Sequence, residues 1–482
     1  MQTKPCIVGI DFGTTSLSAV IVNVRNLTIE KVFSYNTHAY ISFSDANRKE
    51  QSVEKLRDLF NKLLDKIQSY PDIKIIAYGF TGQMHGIIGV NNKKEAVTNL
   101  VTWQDKSGEL VMPGGKKILE EMKGFTGADE SIASGYGAVT LYKWLKYDGR
   151  EDIDSFCTVA DYFARQLAGS NENEEVKMSP TMAHSIGLFD VFTNSWRESS
   201  VQKLEIDNLS FPKIVSNNTI IGYTNSKPDT IPVVCAIGDN QASFMGSVVN
   251  DTESILLNVG TGTQLSFLIA KDDLNTFAKY IDGYETQIRP FDDKSYLVAT
   301  SFINGGSVYE SLFSFFKETG KKLFGLTEID DNMLWQRMLE AGRDNCTKKI
   351  PLEVSPLLEG QRKNEGVKGC ISDLTTANFT PDDFVAGFLK GLSVHYKTGY
   401  FPELESRVRY ICGSGNGVKR NPLLCEMIEK EFGHPLYFSS YNEEAAMGAV
   451  VNAAKAIGVI KSEEESCSFL NGLSEKKYNT VM

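Results

Sequence analysis

The stretch IVGIDFGTTSLSAVIV, residues 7–22, decides the fold. An apolar run enters a short Gly/Thr turn and leaves at once as a second apolar run, which reads as two strands joined by a tight hairpin. A stretch of the same plan, ILLNVGTGTQLSFLIA, occupies residues 255–270, so that Gly13 and Gly260 stand 247 positions apart in a chain of 482. Repetition on this scale predicts two similar domains. Each turn offers backbone N–H groups and Thr hydroxyls of the kind that hold phosphate oxygens. The expectation is a two-lobed, ATP-using α/β enzyme whose paired turns grip a polyphosphate across a central cleft.

Outward from the first hairpin, TIEKVFSYN (28–36) predicts a third strand, and apolar residues at 53, 56, 59, 60, 63, 64 and 67 predict a helix. KIIAYGF (74–80) and NLVTW (99–103) predict buried strands that end at the polar clusters TGQMHG (81–86) and QDKSG (104–108). Ligands of α/β sheets collect beyond such carboxyl ends. FCTVADYFARQLAG (156–169) reads as strand then helix, a polar loop covers 171–175, and TIPVVCAIGDNQASFMG (230–246) carries a buried strand into a helix. A boundary near Gly246 divides the chain into an N-terminal domain, 1–246, and a C-terminal domain, 247–460, with a frayed polar tail over 461–482. In the second half, YLVATSFINGG (296–306) reads as hairpin-like and residues 382–400 as a long helix. RVRYICGSGNGVKRNPLLCEMIEKEF (407–432) is a strand, a Gly-rich loop and a helix with Asn421 as N-cap and Pro422 at its first position. The small residues of EEAAMGAVVNAAKA (443–456) let a helix approach another backbone closely.

A net charge of −11 argues against nucleic acid or an anionic membrane as partner, since both demand a basic face. Eight dispersed cysteines without a CxxC pair read as reduced thiols of a cytoplasmic protein, and five histidines form no zinc pattern. The N-terminus enters its first strand almost at once, without a signal peptide or membrane span. No GxxxxGK[ST] occurs, and GSGNG (413–417) lacks the dinucleotide spacing. A monomer or homodimer acting on a neutral organic molecule fits this balance.

Asp11 ends an apolar strand and precedes Gly13, Thr14, Thr15 and Ser16, so a carboxylate that holds Mg²⁺ through water stands beside amides and hydroxyls that meet phosphate. An ordinary hairpin turn explains either stretch alone, and the matched turn at Gly260, Thr261 and Gly262 favours the functional reading. In GDNQA, Asp239 is a candidate general base flanked by the amides Asn240 and Gln241. It is equally suited to cap the helix that follows. Gln83, Met84 and His85 lie between two glycines at a strand end, which suits a hydroxyl-lined sugar as well as a packed core. Trp103, Gln104 and Asp105 repeat that theme.

Taken together, GIDFGTTS, TGQMHG, LVTWQD, GDNQAS, NVGTGTQ, ICGSGNG and EEAAMGA resemble, in order, the motifs of the FGGY carbohydrate kinases, members of the actin-like, ribonuclease-H-like ATPase superfamily. The resemblance covers nearly the whole chain up to the tail. It implies two ribonuclease-H-like domains flanking a cleft, ATP with Mg²⁺, and a ketose acceptor, with a seven-carbon ketose ahead of the pentuloses. It implies Asp239 as base, Asp11 near Mg²⁺, and Gln83, Met84, His85, Asp105, Asn240 and Gln241 near the sugar. Thr14, Thr15, Ser16, Thr261 and Gly262, on the turns of Gly13 and Gly260, would meet phosphate. Asn304, Gly305, Gly413, Ser414 and Asn416 would lie toward the nucleoside. Lys106-Ser107, Pro180 and Gln361 depart from the family's commoner residues. GIDFGTTS is also similar to the start of heat-shock 70 ATPases, a reading that leaves TGQMHG and GDNQA unexplained.

Overall fold

Strand β1 (Lys4–Phe12) is the axis of the first half of the chain. In the computed structural model, which describes residues 3–126, 132–169, 174–206, 209–224, 230–248, 252–281, 285–345, 352–361, 364 and 366–473, it pairs antiparallel with β2 (Ser16–Asn23), setting Phe12 opposite Leu17. Strand β3 (Thr28–Asn36) continues the meander, and β4 (Ile73–Gly82) lies parallel to β1. With β5 (Ile220–Tyr223), β6 (Pro232–Val234) and β7 (Ile237–Gly238) they form a seven-stranded sheet ordered β5-β6-β4-β1-β2-β3, with β7 also on β4. Helix α1 (Val53–Gln68) follows the spacing read from the sequence, burying Val53, Leu56, Phe60, Leu63 and Ile67, and Ser52 caps it by accepting from the Lys55 amide. Helix α2 (Val159–Leu167) begins in a Thr158/Asp161 capping box. Phe163 on that helix stacks on Phe12 at 4.7 Å, with Phe60 at 5.1 Å, and so anchors the strand end that carries Asp11.

The second half repeats the plan. Strands β8 (Ser254–Val259) and β9 (Thr263–Ala270) form an antiparallel hairpin, and β8 lies parallel to a later strand, β12 (Tyr410–Ser414). With β10 (Thr286–Pro290), β11 (Ser295–Phe302) and β13 (Leu436–Phe438), the six-stranded order is β10-β11-β9-β8-β12-β13. Between them run α5 (Gly306–Phe324), α6 (Pro381–Lys397) and α7 (Pro422–Phe432). Asn421 caps α7 by accepting from the Leu424 amide, as read from the sequence. The first half also holds α3 (Pro180–Ile186), with Pro180 at its first position after the cap Ser179, and α4 (Asp239–Ser247). Both domains are α/β, of the ribonuclease-H-like, actin-like class.

The described residues form two compact units, one within 3–248, 288–297 and 441–473, the other within 252–287 and 298–440. The first unit therefore takes in helix α8 (Glu444–Ala456), which chain order assigns to the C-terminal half. NLVTW yields only a two-residue strand, Leu100–Val101, because the chain then turns as Thr102 bonds back to the Lys49 carbonyl. Residues 463–473 form helix α9 rather than a frayed tail, since Phe469 and Leu470 find burial; residues 474–482 lie outside the described residues. Residues 171–173 of the polar loop and Cys346 do too. None of the seven described cysteines forms a disulfide, and no described helix is long and apolar enough to cross a membrane.

Helix α8 explains its own small residues. A Cβ on Gly9 of β1 would stand 2.0 Å from the Ala446 carbonyl oxygen, and one on Gly79 of β4 would stand 2.0 Å from that of Ala449. Against α4, a Cβ on Gly448 would meet the Ala242 carbonyl at 1.9 Å and one on Gly246 that of Glu444 at 2.1 Å. Backbone thus rests on backbone along three elements. Overpacking of this kind costs about 1–3 kcal/mol. Gly448→Ala is expected to lower the thermal unfolding midpoint, whereas Gly124→Ala, in a helix where a Cβ meets nothing within 4 Å, leaves it unchanged or raises it. Equal midpoints in the two variants would refute the close-contact account.

Candidate active site

Register brings the first unit's chemistry to one edge. Asp11 and Phe12 of β1 lie beside Thr81 and Gly82 of β4, and Gly82 in turn pairs with Gly238 of β7. The residues that follow these strand ends, Gln83 and Asp239, therefore emerge as neighbours of Asp11. Gln83 is tied there by its amide, which donates to the Phe12 carbonyl at 2.8 Å.

Asp11 is recessed, and its Oδ1 is buried without a hydrogen-bond partner. Burial, then the charges of Asp239 and Glu443, push its carboxyl up to about 8. Asp239 is the first residue of α4, after Gly238. Burial raises its carboxyl to about 6, while the Asn240 amide and the Arg289 guanidinium pull it back. It remains ionised at neutral pH beside a carboxyl that is not fully so.

Around these acids lie amide oxygens with nothing to accept. Gln83 is 2% exposed; its Nε2 donates to Gln51 Oε1 at 3.0 Å, and its own Oε1 has no partner. Gln241 is fully buried, donates from Nε2 to the Pro290 carbonyl at 3.0 Å, and likewise leaves Oε1 unpartnered. Buried acceptors are nearly always paired in folded proteins, so these two oxygens are open to a donor from outside the chain, water or a bound hydroxyl. Met84 packs against Gly238, just before Asp239: a Cβ on Gly238 would lie 2.8 Å from its Sδ. Asn240 Oδ1 accepts from Arg289 Nη1 at 2.8 Å.

His85 holds a left-handed backbone, φ 70°, and its ring lies 4.3 Å from that of Tyr136. Its Nδ1 meets the Ser185 carbonyl at 2.9 Å; a carbonyl only accepts, so Nδ1 carries the proton of that bond. Asp105 is different. Its two oxygens accept from the Lys49 and Ser107 amides, both at 2.8 Å, in a buried position, so the carboxylate knits its own loop.

In the turn after β1, Thr14 is braced twice: its carbonyl accepts from Gln51 Nε2 at 2.7 Å and its Oγ1 from Trp103 Nε1 at 3.0 Å. Gln51 thus links the turn to Gln83. Gly13 and Ser16 are half-buried and Thr15 is exposed, its carbonyl accepting from the Thr37 amide.

In the second unit the turn of Gly260, Thr261 and Gly262 sits on the start of α5. The Gly306 amide donates to the Gly260 carbonyl at 2.8 Å, and a Cβ on Gly305 would lie 2.6 Å from the Thr261 carbonyl. Gly415, at φ 84°, lets the loop after β12 come to the same strand end, where a Cβ would meet the Val259 carbonyl at 2.4 Å. Gly413 and Ser414 are buried at the end of β12 and Asn416 is exposed. Asn304 bonds through both side-chain atoms to the Glu359 amide and the Gly360 carbonyl, shaping that bend. The turns of one unit carry a carboxylate, those of the other only amides and hydroxyls.

Arg289, Glu443, Gln51 and Tyr136 complete the first cluster and were not among the residues read from the sequence. Only Glu443 lay in a quoted motif. Among the described residues no three His, Cys, Asp or Glu side chains are placed to hold a metal ion directly.

Comparison with known proteins agrees with this layout. The model of the FGGY family of carbohydrate kinases, N-terminal domain, matches residues 6–246. Sedoheptulokinase of Mus musculus is 24% identical over 488 residues, covering 94% of this chain and 98% of that protein. Xylulose kinase of Staphylococcus xylosus is 25% identical over 276 residues, 54% of each chain. The crystal structure of Plasmodium falciparum glycerol kinase with ADP shares the fold, with a TM-score of 0.76 at 18% identity over 98% of this chain and 93% of that one. With a family match over half its length and both domains of the expected class, this chain belongs to the FGGY family of carbohydrate kinases and uses ATP to phosphorylate a sugar.

Proposed function

We propose that the acceptor is an open-chain ketose phosphorylated on its terminal primary hydroxyl, with sedoheptulose, giving sedoheptulose 7-phosphate, the leading substrate. The observation that carries this is the pair of buried, unpartnered amide oxygens of Gln83 and Gln241 beside an ionised Asp239. A polyol chain supplies the hydroxyl donors those oxygens lack. Similarity to mouse sedoheptulokinase, 24% identical along nearly both full lengths, supports the seven-carbon ketose over a pentulose, since a xylulose kinase of Staphylococcus epidermidis that matches over a similar length is 21% identical.

In this reading Asp239 accepts the proton of the attacking hydroxyl as its oxygen bonds to the γ-phosphorus of ATP and ADP departs. Gln83, Gln241 and His85 orient the sugar, and Met84 packs against Gly238, the residue before the base. The turn at Gly13 to Ser16 takes the phosphate side, and the amides at Gly260 to Gly262, with Gly305 and the Gly413 to Asn416 loop, take the nucleotide in the second unit. Asp11 fits a Mg²⁺ carried in with ATP: its buried Oδ1 has no partner, and the charges of Asp239 and Glu443 that raise its pKa are those a cation would offset. Such an ion would neutralise phosphate charge; Asp11 would hold it through water. Asp105 and Asn304 serve as loop braces for these residues.

General-base catalysis is worth roughly 10²- to 10⁴-fold, so Asp239→Asn is expected to lower kcat by about that factor with an unchanged fold. Coupled ADP release measured with sedoheptulose, xylulose, ribulose, fructose, glycerol and gluconate is expected to give the highest kcat/KM for sedoheptulose. Wild-type turnover in folded Asp239→Asn sinks the base, and a better acceptor in the panel sinks the substrate.

Asp11 gives a test that needs no turnover. Folding raises this acid's pKa from its ordinary value of 3.8 to about 8, so the native state holds its proton longer than the unfolded chain. The ligand-free protein therefore loses stability as pH rises from about 4 to about 8. Asp11→Asn removes that loss and is expected to melt above the wild type at pH 8, the gap closing toward pH 4, while kcat falls. A variant that melts lower at pH 8 contradicts the assignment.

A further inference from the structure

One buried side chain joins the turn after β1 to the strand end of β4. Gln51, with none of its surface exposed, stands on the two-residue strand Glu50–Gln51, paired with Leu100–Val101. Side chains alternate along a strand, and Glu50 turns the other way, accepting from Arg48 Nε at 3.0 Å and Asn99 Nδ2 at 3.1 Å. Gln51 faces the site instead. Its Nε2 donates to the Thr14 carbonyl at 2.7 Å, and its Oε1 accepts from Gln83 Nε2 at 3.0 Å.

The direction of this chain of amides is fixed at one end. A backbone carbonyl only accepts, so the nitrogen of Gln51 must face Thr14 and its oxygen must face Gln83. That oxygen needs a donor, so Gln83 turns its own nitrogen inward, and its buried Oε1 is the end left over. The Thr14 carbonyl thus decides, through Gln51, which end of Gln83 a ligand meets. Gln241 obeys the same rule from another start, its Nε2 drawn to the Pro290 carbonyl and its Oε1 left unpartnered. The turn has a second brace in Trp103, which holds the Thr14 hydroxyl, and the Gln83 amide stays on the Phe12 carbonyl. Loss of Gln51 therefore frees one carbonyl of the turn and one side chain, not either backbone segment as a whole.

Resting on the reading of Gln83 as a sugar contact and of the Thr14 turn as a phosphate contact, we propose that Gln51 is a positioning residue for both substrates at once. With both polar atoms already used, it touches neither of them. It sets the acceptor end of Gln83 toward the sugar and holds the backbone of the phosphate turn. Its effect on the sugar passes through Gln83 alone, whereas its effect on ATP does not involve Gln83.

The experiment measures kcat and the KM of the best acceptor sugar and of ATP, each with the other saturating, in wild type, Gln51→Met, Gln83→Met and the double variant. Methionine matches glutamine in length and removes both hydrogen bonds. Each lost bond is worth roughly a two- to tenfold change, so Gln51→Met is expected to raise both KM values by about that factor, with kcat moving less than either. Gln83→Met is expected to raise the sugar KM alone. In the double variant the sugar KM stands no higher than in Gln83→Met, and the ATP KM matches that of Gln51→Met. A merely structural brace lowers the melting midpoint and leaves both KM values where they were, which overturns the proposal. So does a rise in only one of them in Gln51→Met, or a sugar KM in the double variant equal to the product of the two single effects. If Gln51→Met does not fold, Gln51→Asn, whose stem is too short to reach both partners, is held to the same criteria. An unmoved sugar KM in Gln83→Met fails the sugar reading itself and this one with it, whereas a raised one beside an unmoved Gln51→Met removes Gln51 alone.

Discussion

Helix α8 lying directly on the backbones of β1, β4 and α4 is the constraint from which the carboxylate cluster of the first unit follows. Gly9, Gly79, Gly246 and Gly448 each mark a place where a carbonyl oxygen stands within about two ångströms of a hypothetical Cβ. Side chains cannot mediate such a contact, so the spacing of helix from sheet is set by the peptide groups themselves and leaves little room for adjustment. One consequence is geometric. The start of α8 carries Glu443 toward Asp11, and the Gly448–Ala242 contact fixes the helix whose first residue is Asp239. A single packing decision thereby sets the relation of three carboxylates.

That relation is unfavourable for folding. Asp11 sits among like charges with one oxygen unpartnered, and Asp239 is ionised at neutral pH against the cost of burial. Sites of this kind persist because surrounding packing over-determines them. Here the support is visible: Phe12 beside Asp11 stacks on Phe163 and meets Phe60 at a tilt, and Phe244 on α4 meets Phe291. Apolar contacts behind the strand ends hold polar groups that would otherwise relax toward water. The same logic assigns meaning to the unpartnered oxygens of Gln83 and Gln241, which are positioned by Gln51 and Pro290 through their amide nitrogens and so present only their acceptor ends.

Local chemistry was legible in the sequence and long-range chemistry was not. The duplicated hairpins, the period of α1 and the capping at Asn421 each depend on residues within a few positions of one another, and each stands in the structure as read. Arg289 escaped because nothing near RP in the sequence hints at Asn240, 49 residues earlier; only the return of 288–297 to the first unit joins them. Residue type also says nothing about direction. Asp105 and Asn304 have the composition of ligand-binding residues, yet their polar atoms turn toward neighbouring backbone. The placement of α8 shows the same limit: its small residues announced close packing but not the partners, β1, β4 and α4, which lie far away in the chain.

The duplicated turns have diverged in a way that bears on division of labour. The offset that aligns Gly13 with Gly260 aligns Asp11 with Asn258, so the first turn keeps a carboxylate where the second has an amide of nearly the same shape. Asn258 lies against Gly415, whose left-handed backbone closes the loop after β12 onto that strand end. A carboxylate at 258 would put a charge against the Val259 and Gly415 backbone with no cation to justify it, and polyphosphate is itself strongly anionic. An amide carries no such penalty. Held by the Gly305–Gly306 start of α5, the second turn carries only uncharged dipoles, while the first sets its dipoles beside a carboxylate. Two hairpins of one plan thus differ in charge at the same strand position, a carboxylate at Asp11 and an amide at Asn258.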